Sequence, residues 1–409
     1  MIRRLKVKGF KSLGEVDVRF PQMTVLFGPN AAGKSNLLDA IQALSRVGTE
    51  RTIADALADP IRGYPIESFA FPPGGLSALL SAESARFTLE ADLFVAKEGF
   101  RYRVEIAIQP SSGGLSVTDE YLTALTADDE PRGAACIERV DDKLRVRRSG
   151  GRPREEALVR NHTALSDLRL GSTEYQHIEA CRNDLVGWRV YYLDPRVAMR
   201  SSKPPSQVSD IGVLGENIAP FLYRLKAEAP KRFQEIRRTL NALIPSVEDV
   251  QVDIDERRGT LDILIRQSGT DFSSRIISEG TLRVLALCCI AANPWGGSLI
   301  AFEEPENGVH PRRVELMAQL LSSIAEEPGK QVIVTTHSPL FCEAVLKHGE
   351  KHPKEVALMS VHRGATGTEV RAFDVDSPLF RDHEIRAALS EATENGVFQG
   401  LVMRGLLDE

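Results

Sequence analysis

The sequence predicts an α/β fold with a mostly parallel sheet, an antiparallel β subdomain and an inserted, mainly helical lobe, and three observations carry that expectation. A continuous apolar run, Met23-Thr-Val-Leu-Phe27, meets a glycine-rich loop at Gly28, and Leu37, Leu38, Ala40, Ile41 and Leu44 then recur at helical spacing. Further apolar runs at 298–302 and 331–335 alternate with helical stretches, as in a parallel sheet. Phe87-Thr-Leu-Glu-Ala-Asp-Leu93 and Tyr102-Arg-Val-Glu-Ile-Ala-Ile108 instead alternate apolar and polar, the pattern of antiparallel strands with one wet face.

Taken in order, Leu5-Lys-Val-Lys8 and Val16-Asp-Val-Arg-Phe20 read as two strands ahead of the buried strand 23–27. Gly99 and Pro110-Ser-Ser-Gly-Gly114 bound the alternating strands of 86–108. Beyond about residue 126 come polar, arginine-rich loops around 149–153, then helical periodicity through Ile178–Leu185 and Phe221–Leu243, the latter interrupted near Pro230. Strands return at Val250–Ile254 and Thr260–Ile265, followed by a helix from Glu279, a strand at Ser298–Phe302, a helix beyond Arg312 and a strand at Gln331–Thr335. The expected division is 1–125 and 246–409 as two parts of one head, with 126–245 as the inserted helical lobe. No internal repeat, long heptad run or low-complexity tract interrupts this pattern.

The chain has 409 residues, 42% hydrophobic and 26% charged, the composition of an ordinary globular protein. A net charge of -6 excludes a protein that is basic all over, so nucleic-acid contact would need local patches. Two basic stretches stand out: Arg3, Arg4, Lys6, Lys8 and Lys11, read as outward side chains on an edge strand, and Lys143, Arg145, Arg147, Arg148, Arg152 and Arg154, read as a solvated loop. The five cysteines form no C-x-x-C pair and have no histidine at metal-ligand spacing, so a zinc site or disulfide framework is not expected. The start lacks the apolar run of a signal peptide, and the longest apolar stretch, Val284–Ala292, is too short to span a bilayer. A cytoplasmic protein with no membrane partner is expected.

Gly28-Pro-Asn30-Ala31-Ala32-Gly33-Lys34-Ser35 fits G-x-x-x-x-G-K-S, in which glycines let backbone N–H groups converge on phosphates at a helix N-terminus. Lys34 is expected to reach the β- and γ-phosphates of ATP and Ser35 to ligate Mg²⁺, with Asn36 beside them. Glu303 and Glu304 end the buried strand 298–302, where ligands of parallel sheets sit. One carboxylate is expected to hold the Mg²⁺ shell (Glu303) and the other to orient or deprotonate the attacking water (Glu304). His337, after the strand 331–335, arrives at the same kind of edge. Ser278 is placed to cap a helix, with Glu279 and Gly280 in its first turn. The guanine-reading elements Asn-Lys-x-Asp and Thr-Lys-x-Asp do not occur, which disfavours a GTPase.

Together these segments resemble the ABC-type ATPases of the RecF, SMC and OLD group, especially shorter bacterial members without a long coiled coil. The carrying residues are Gly9-Phe-Lys-Ser-Leu13, Gly28–Ser35, Ile277-Ser-Glu-Gly-Thr-Leu-Arg283, Phe302-Glu-Glu-Pro-Glu-Asn-Gly-Val-His-Pro311 and Thr336-His-Ser-Pro339. The resemblance implies a P-loop NTPase of ABC type in which Ser278, Glu279 and Gly280 act as the signature motif on ATP held by a second subunit, so that an ATP-dependent homodimer is required. It also implies that 306–311 is the loop crossing the dimer interface and that His337 is the switch histidine. Two departures are Glu303 in place of the usual Asp, and Glu279 and Thr281 in place of the usual glycine and glutamine. OLD-type relatives continue into a metal-dependent nuclease domain, whereas about 70 residues follow His337 here, without an evident acidic triad; Asp374-Val-Asp376 reads as a turn. The expected role is an ATPase of DNA repair or antiviral defence that contacts DNA. The alternative is an ATP-switched module acting on a partner nuclease or other effector without direct DNA binding.

Overall fold

The computed structural model describes residues 1–148, 152–158, 160–171, 173–349, 352 and 354–373. The acidic pair at 374 and 376 lies outside the described residues. Strands β1 (Ile2–Phe10) and β2 (Leu13–Arg19) form a hairpin, and β3 (Met23–Phe27), fully buried, leads into the glycine-rich loop and α1 (Lys34–Val47). The short helices α2 (Ile53–Ala56) and α3 (Gly75–Leu80) precede a meander of long strands, β4 (Ala85–Val95), β5 (Glu98–Gln109) and β6 (Gly114–Leu125). It continues through β7 (Pro131–Val140), β8 (Lys143–Val146) and β9 (Arg154–Ala157) before α4 (Gln176–Val186) and β10 (Arg189–Tyr191). Helices α5 (Ile218–Glu228) and α6 (Pro230–Leu243) come next, separated by Ala229 and with Pro230 at the first helical position of α6, where a missing N–H is tolerated.

The remaining order is β11 (Asp249–Asp255), β12 (Thr260–Gln267), β13 (Thr270–Ser273), α7 (Glu279–Ala291), β14 (Leu299–Glu303), α8 (Pro311–Ala325), β15 (Gln331–Thr336), α9 (Pro339–Gly349), β16 (Val356–Gly364) and β17 (Gly367–Ala372). The chain divides into two compact units. One comprises Met1–Pro21, Gly28–Trp188 and Met359–Ala372; the other comprises Gln22–Phe27 and Arg189–Leu358, with Phe373 among the described residues.

In the first unit an eight-stranded sheet runs in the order β2-β1-β4-β5-β6-β7-β8-β9, antiparallel throughout. Its buried face follows the alternation read from the sequence: Leu5 and Val7 of β1 and Phe87 and Leu89 of β4 are inaccessible, and Phe87 packs edge-on against Phe10 at 5.2 Å. The N-terminal strand is not an edge, since β1 lies between β2 and β4 and the edge falls to β2. Its basic residues face acids across the strands, Arg4 against Asp17 and Lys6 against Glu15.

In the second unit β10, β14, β15 and β3 form a parallel sheet in that order. Helices α5 to α9 cover its apolar residues; Phe221, Leu285, Leu321 and Phe341 share one core with Val25 and Val334. Sheet β11-β12-β13 contributes Val250 and Ile263 to that core. The described structure distributes 126–245 differently from the helical lobe expected there. Strands β7, β8 and β9 extend the antiparallel sheet, α4 stays with the first unit, and α5 and α6 belong to the second. In β8 the arginines hide the alternation, because Leu144 and Val146 are buried while Lys143 and Arg145 point outward. Lys143, Arg145 and Arg154 of the second basic stretch therefore stand on strands rather than in a loop, and three of its charges are closely paired: Lys143 with Glu155 at 2.6 Å, Arg147 with Glu138 at 2.6 Å and Arg154 with Glu156 at 2.6 Å.

All five cysteines are free thiols. Burial pushes Cys288 up to about 12, well away from thiolate reactivity. No described helix is long and apolar enough to cross a membrane.

Candidate functional site

In the first unit the glycine-rich loop is set by backbone conformation. Gly28, Ala31 and Gly33 have φ of 148°, 63° and 108°. A Cβ on Gly28 would stand 2.1 Å from the Val361 carbonyl oxygen, and one on Gly33 would stand 2.0 Å from the Thr368 hydroxyl. Both positions are closed to any side chain, so the loop conformation requires glycine there. Gly33 also N-caps α1 without a side chain, and the first turn, Lys34-Ser35-Asn36, holds no carboxylate, which suits the helix N-terminus to an anion. Lys34 is buried, and its ammonium donates to the carbonyls of Gly28 and Pro29 at 2.8 and 2.9 Å.

A relay of hydrogen bonds fixes the loop. The Asn36 amide donates to the Ser12 hydroxyl at 2.7 Å, Ser12 and Thr368 share a 2.7 Å bond, and Thr368 donates to the Ala32 carbonyl at 3.0 Å. Asn30 and Ala31 lie exposed at the loop's crest. Beneath it Asp39 is inaccessible to solvent and is held by Lys11 at 2.6 Å and Arg62 at 2.9 Å. An acid buried on an apolar helix face demands a cation, so Asp39 among Leu37, Leu38, Ala40 and Ile41 carried a signal that sequence reasoning passed over. Arg62 carried none, because nothing local marks which distant arginine will answer. A cavity of about 630 Å³ beside the loop is lined by Lys11, Ser12, Asn36, Arg62, Phe71 and Arg363, among others.

In the second unit the register of the parallel strands levels their carboxyl ends. Glu303 of β14 pairs with Thr335 of β15, and Thr336 pairs with Phe27 of β3. The acids, His337 and the end of the strand that runs directly into Gly28 therefore share one edge, the edge at which α/β sheets bind ligands. Glu304 takes a left-handed φ of 45°, and its N–H donates to the Thr335 carbonyl at 2.9 Å. Both of its carboxylate oxygens are addressed: Nδ1 of His337 lies 3.1 Å from Oε1, and the Asn307 amide donates to Oε2 at 2.7 Å. The structure thus brings Glu304 and His337 together, and it adds Asn307. Glu306 is buried and accepts a short hydrogen bond from the Thr336 hydroxyl; burial raises its pKa while that bond opposes the rise.

Ser278 caps α7 as expected, its hydroxyl accepting the Thr281 N–H at 3.2 Å. Glu279 is paired with Arg196 at 2.8 Å. A Cβ on Gly280 would stand 2.4 Å from the Gly308 carbonyl, so the start of α7 packs directly on the loop 306–311. Arg283, in the same helix, is part-buried, and its pKa is lowered by burial against the opposing pull of Glu279, Asp194, Glu306 and Glu304.

Residues 23–343 match the family model described as "AAA domain, putative AbiEii toxin, Type IV TA system". The chain belongs to this AAA-domain family. The sequence is similar to an OLD nuclease of Thermus scotoductus, 21% identical over 348 residues, which are 84% of this chain and 60% of that protein. The chain thus spans less than two thirds of that relative. It is also similar to the DNA replication and repair protein RecF of Ligilactobacillus salivarius, 42% identical over 55 residues, 13% of this chain and 14% of that protein. Among solved structures, an SMC head bound to the C-terminal winged-helix domain of ScpA matches with a TM-score of 0.52 at 14% identity, covering 92% of this chain and 99% of that one. An SMC head with an extended coiled coil, bound to the C-terminal domain of ScpA from Pyrococcus furiosus, matches with a TM-score of 0.52 at 13% identity, covering 94% and 99%. The fold is that of the SMC-head ABC-type ATPases, and the family is the one to which RecF and OLD proteins are related.

Proposed function

We propose that this protein binds ATP with Mg²⁺ and hydrolyses it, using the glycine-rich loop for the phosphates and the Glu303-Glu304 edge for the chemistry. The observation that carries the reading is the shared edge, where β3 ends at Phe27 beside β15 and β14 ends in the two glutamates. The φ of 148° at Gly28 and 108° at Gly33 suits a glycine-rich loop whose backbone N–H groups take phosphate oxygens. The Ser35 hydroxyl and a Glu303 carboxylate oxygen are donors of the hard type that Mg²⁺ takes, and the ion, when bound, neutralises charge on the phosphates.

Glu304 is the general base in this reading. Asn307 and His337 hold its carboxylate, which takes a proton from water as the water oxygen bonds to the γ-phosphorus and the bond to the β,γ-bridging oxygen breaks. Lys11, Arg62 and Phe71 supply cationic and aromatic groups for the nucleoside end of ATP in the adjoining cavity. Ser278, Glu279 and Gly280 are the proposed contact with ATP of a second copy, so ATP closes a homodimer and hydrolysis reopens it. The packing of Gly280 on Gly308 supports that coupling, since movement of the 306–311 loop would be felt at the signature motif.

A role in DNA repair or antiviral defence draws support from the alignments with RecF and with a protein named OLD nuclease. The second reading, a switch acting on a partner effector without direct DNA contact, draws support from the ion pairs that occupy Arg4, Lys143, Arg147 and Arg154, which leave these basic stretches less charge for phosphates. Phosphate release from ATP, measured with and without linear double-stranded DNA, tests both. Turnover lost in Lys34→Ala is expected, and wild-type protein that neither binds nor hydrolyses ATP would sink the ATPase reading. Stimulation by DNA selects the repair or defence role, and DNA-independent turnover selects the switch.

A further inference from the structure

We propose that Glu326, His348 and His352 form a binding site for a divalent transition metal of the zinc type, separate from the Mg²⁺ chemistry proposed above and independent of it. Glu326 is the C-cap of α8, His348 stands in the last turn of α9, and His352 follows that helix. Both imidazoles turn the same nitrogen toward the same oxygen. Nε2 of His348 lies 2.9 Å and Nε2 of His352 lies 3.6 Å from Oε1 of Glu326, and one ligand atom from each residue lies within 4.8 Å of the others. Ligands about 2.0–2.2 Å from a tetrahedral zinc ion stand about 3.3 Å from one another. The two observed separations bracket that value, so side-chain rotations alone would seat an ion among the three atoms.

The surroundings argue for more than a surface hydrogen bond. Two imidazole rings stack here with centroids 5.1 Å apart and 21° between planes, both directed at one carboxylate oxygen. On its far side Nδ1 of His352 faces Oε2 of Glu355 at 3.5 Å. A carboxylate behind a ligating histidine fixes the tautomer that leaves Nε2 free for metal. Backbone bonds from the His352 N–H to Gly349 and from the Glu355 N–H to His352, each 3.0 Å, and from the Met23 N–H to Glu355 at 2.8 Å, fix the backbone of His352 and Glu355. Two imidazoles and one carboxylate select zinc-like ions over Mg²⁺ or Ca²⁺, which prefer oxygen. The side chains are 43%, 23% and 37% exposed, so a fourth position stays open to water. No cysteine takes part, which is why a search for cysteine and histidine together passed over the His348-x-x-x-His352 spacing.

A bound ion would tie the ends of α8 and α9 to the turn that starts β16, so the site should stabilise the fold. The full chain, stripped with chelator and free of nucleotide, is titrated with zinc chloride by calorimetry and with cobalt(II) by visible absorption. The expected result is one equivalent of zinc, a rise in Tm on binding and the d–d bands of tetrahedral cobalt. Affinity should fall at least tenfold in His348→Ala and in His352→Ala, and about tenfold in Glu355→Gln through the supporting carboxylate. Circular dichroism checks folding, and His348→Gln and Glu326→Gln, which keep side-chain volume, replace any variant that loses structure. No zinc uptake by wild-type protein, or uptake unchanged in the double variant His348→Ala/His352→Ala, would overturn the proposal.

Discussion

The phosphate loop and the carboxylate edge are built on opposite principles. The loop is shaped by backbone and depends on the absence of side chains: Gly28 and Gly33 stand where any Cβ would collide with Val361 or Thr368. The edge is shaped by side chains and depends on their identity: Glu304 is held at both oxygens by His337 and Asn307. A backbone site fails when something is added, through strain. A side-chain site fails when something is exchanged, through lost chemistry with the fold intact.

The sharpest test of this contrast is Glu304→Gln, which keeps shape and removes the proposed base. Turnover should fall about a thousandfold while ATP affinity and thermal stability stay near wild type. A large loss of stability there would break the distinction. Gly28→Ala should behave the other way. A methyl group meeting a backbone carbonyl at 2.1 Å from a φ of 148° should destabilise the protein by about 3 kcal/mol, read by denaturant unfolding. Unchanged stability would mean that the loop yields, and the cradle would then not be rigid. The mildest change is Asn307→Ala, which frees one oxygen of Glu304 but leaves His337. A loss of about tenfold in kcat with little change in KM is expected, since a hydrogen bond to a charged carboxylate is worth about 1.5 kcal/mol. No change in kcat would remove Asn307 from the positioning of Glu304.

Much of the fold was legible because its signals are local. The run Met23–Phe27, the alternation of 86–108, the cap at Ser278 and the break near Pro230 each depend on neighbours within one or two turns, and the structure places β3, β4, β5, α7, α5 and α6 there. The arginine-rich stretch misled because charge density was read ahead of the Leu144 and Val146 alternation beneath it. Asn307 passed unremarked because its partner, Glu304, is decided by the turn between them rather than by residue type. Lys11, Arg62 and Asp39 are scattered over three segments, and only packing shows that they form one cluster.

The sequence by itself determined many of the strands and helices, where glycine closes the loop at Gly28 and Gly33 and which acids and histidine end buried strands, because spacing and residue chemistry act over a few residues. Tertiary structure alone decided that β3, β14 and β15 are neighbours in register, that Gly280 lies on Gly308, and that Glu326 meets His348 and His352. Those pairings join residues far apart in the chain. Their selection depends on which apolar faces can be buried together at once, a property of the whole packed core rather than of any window of sequence.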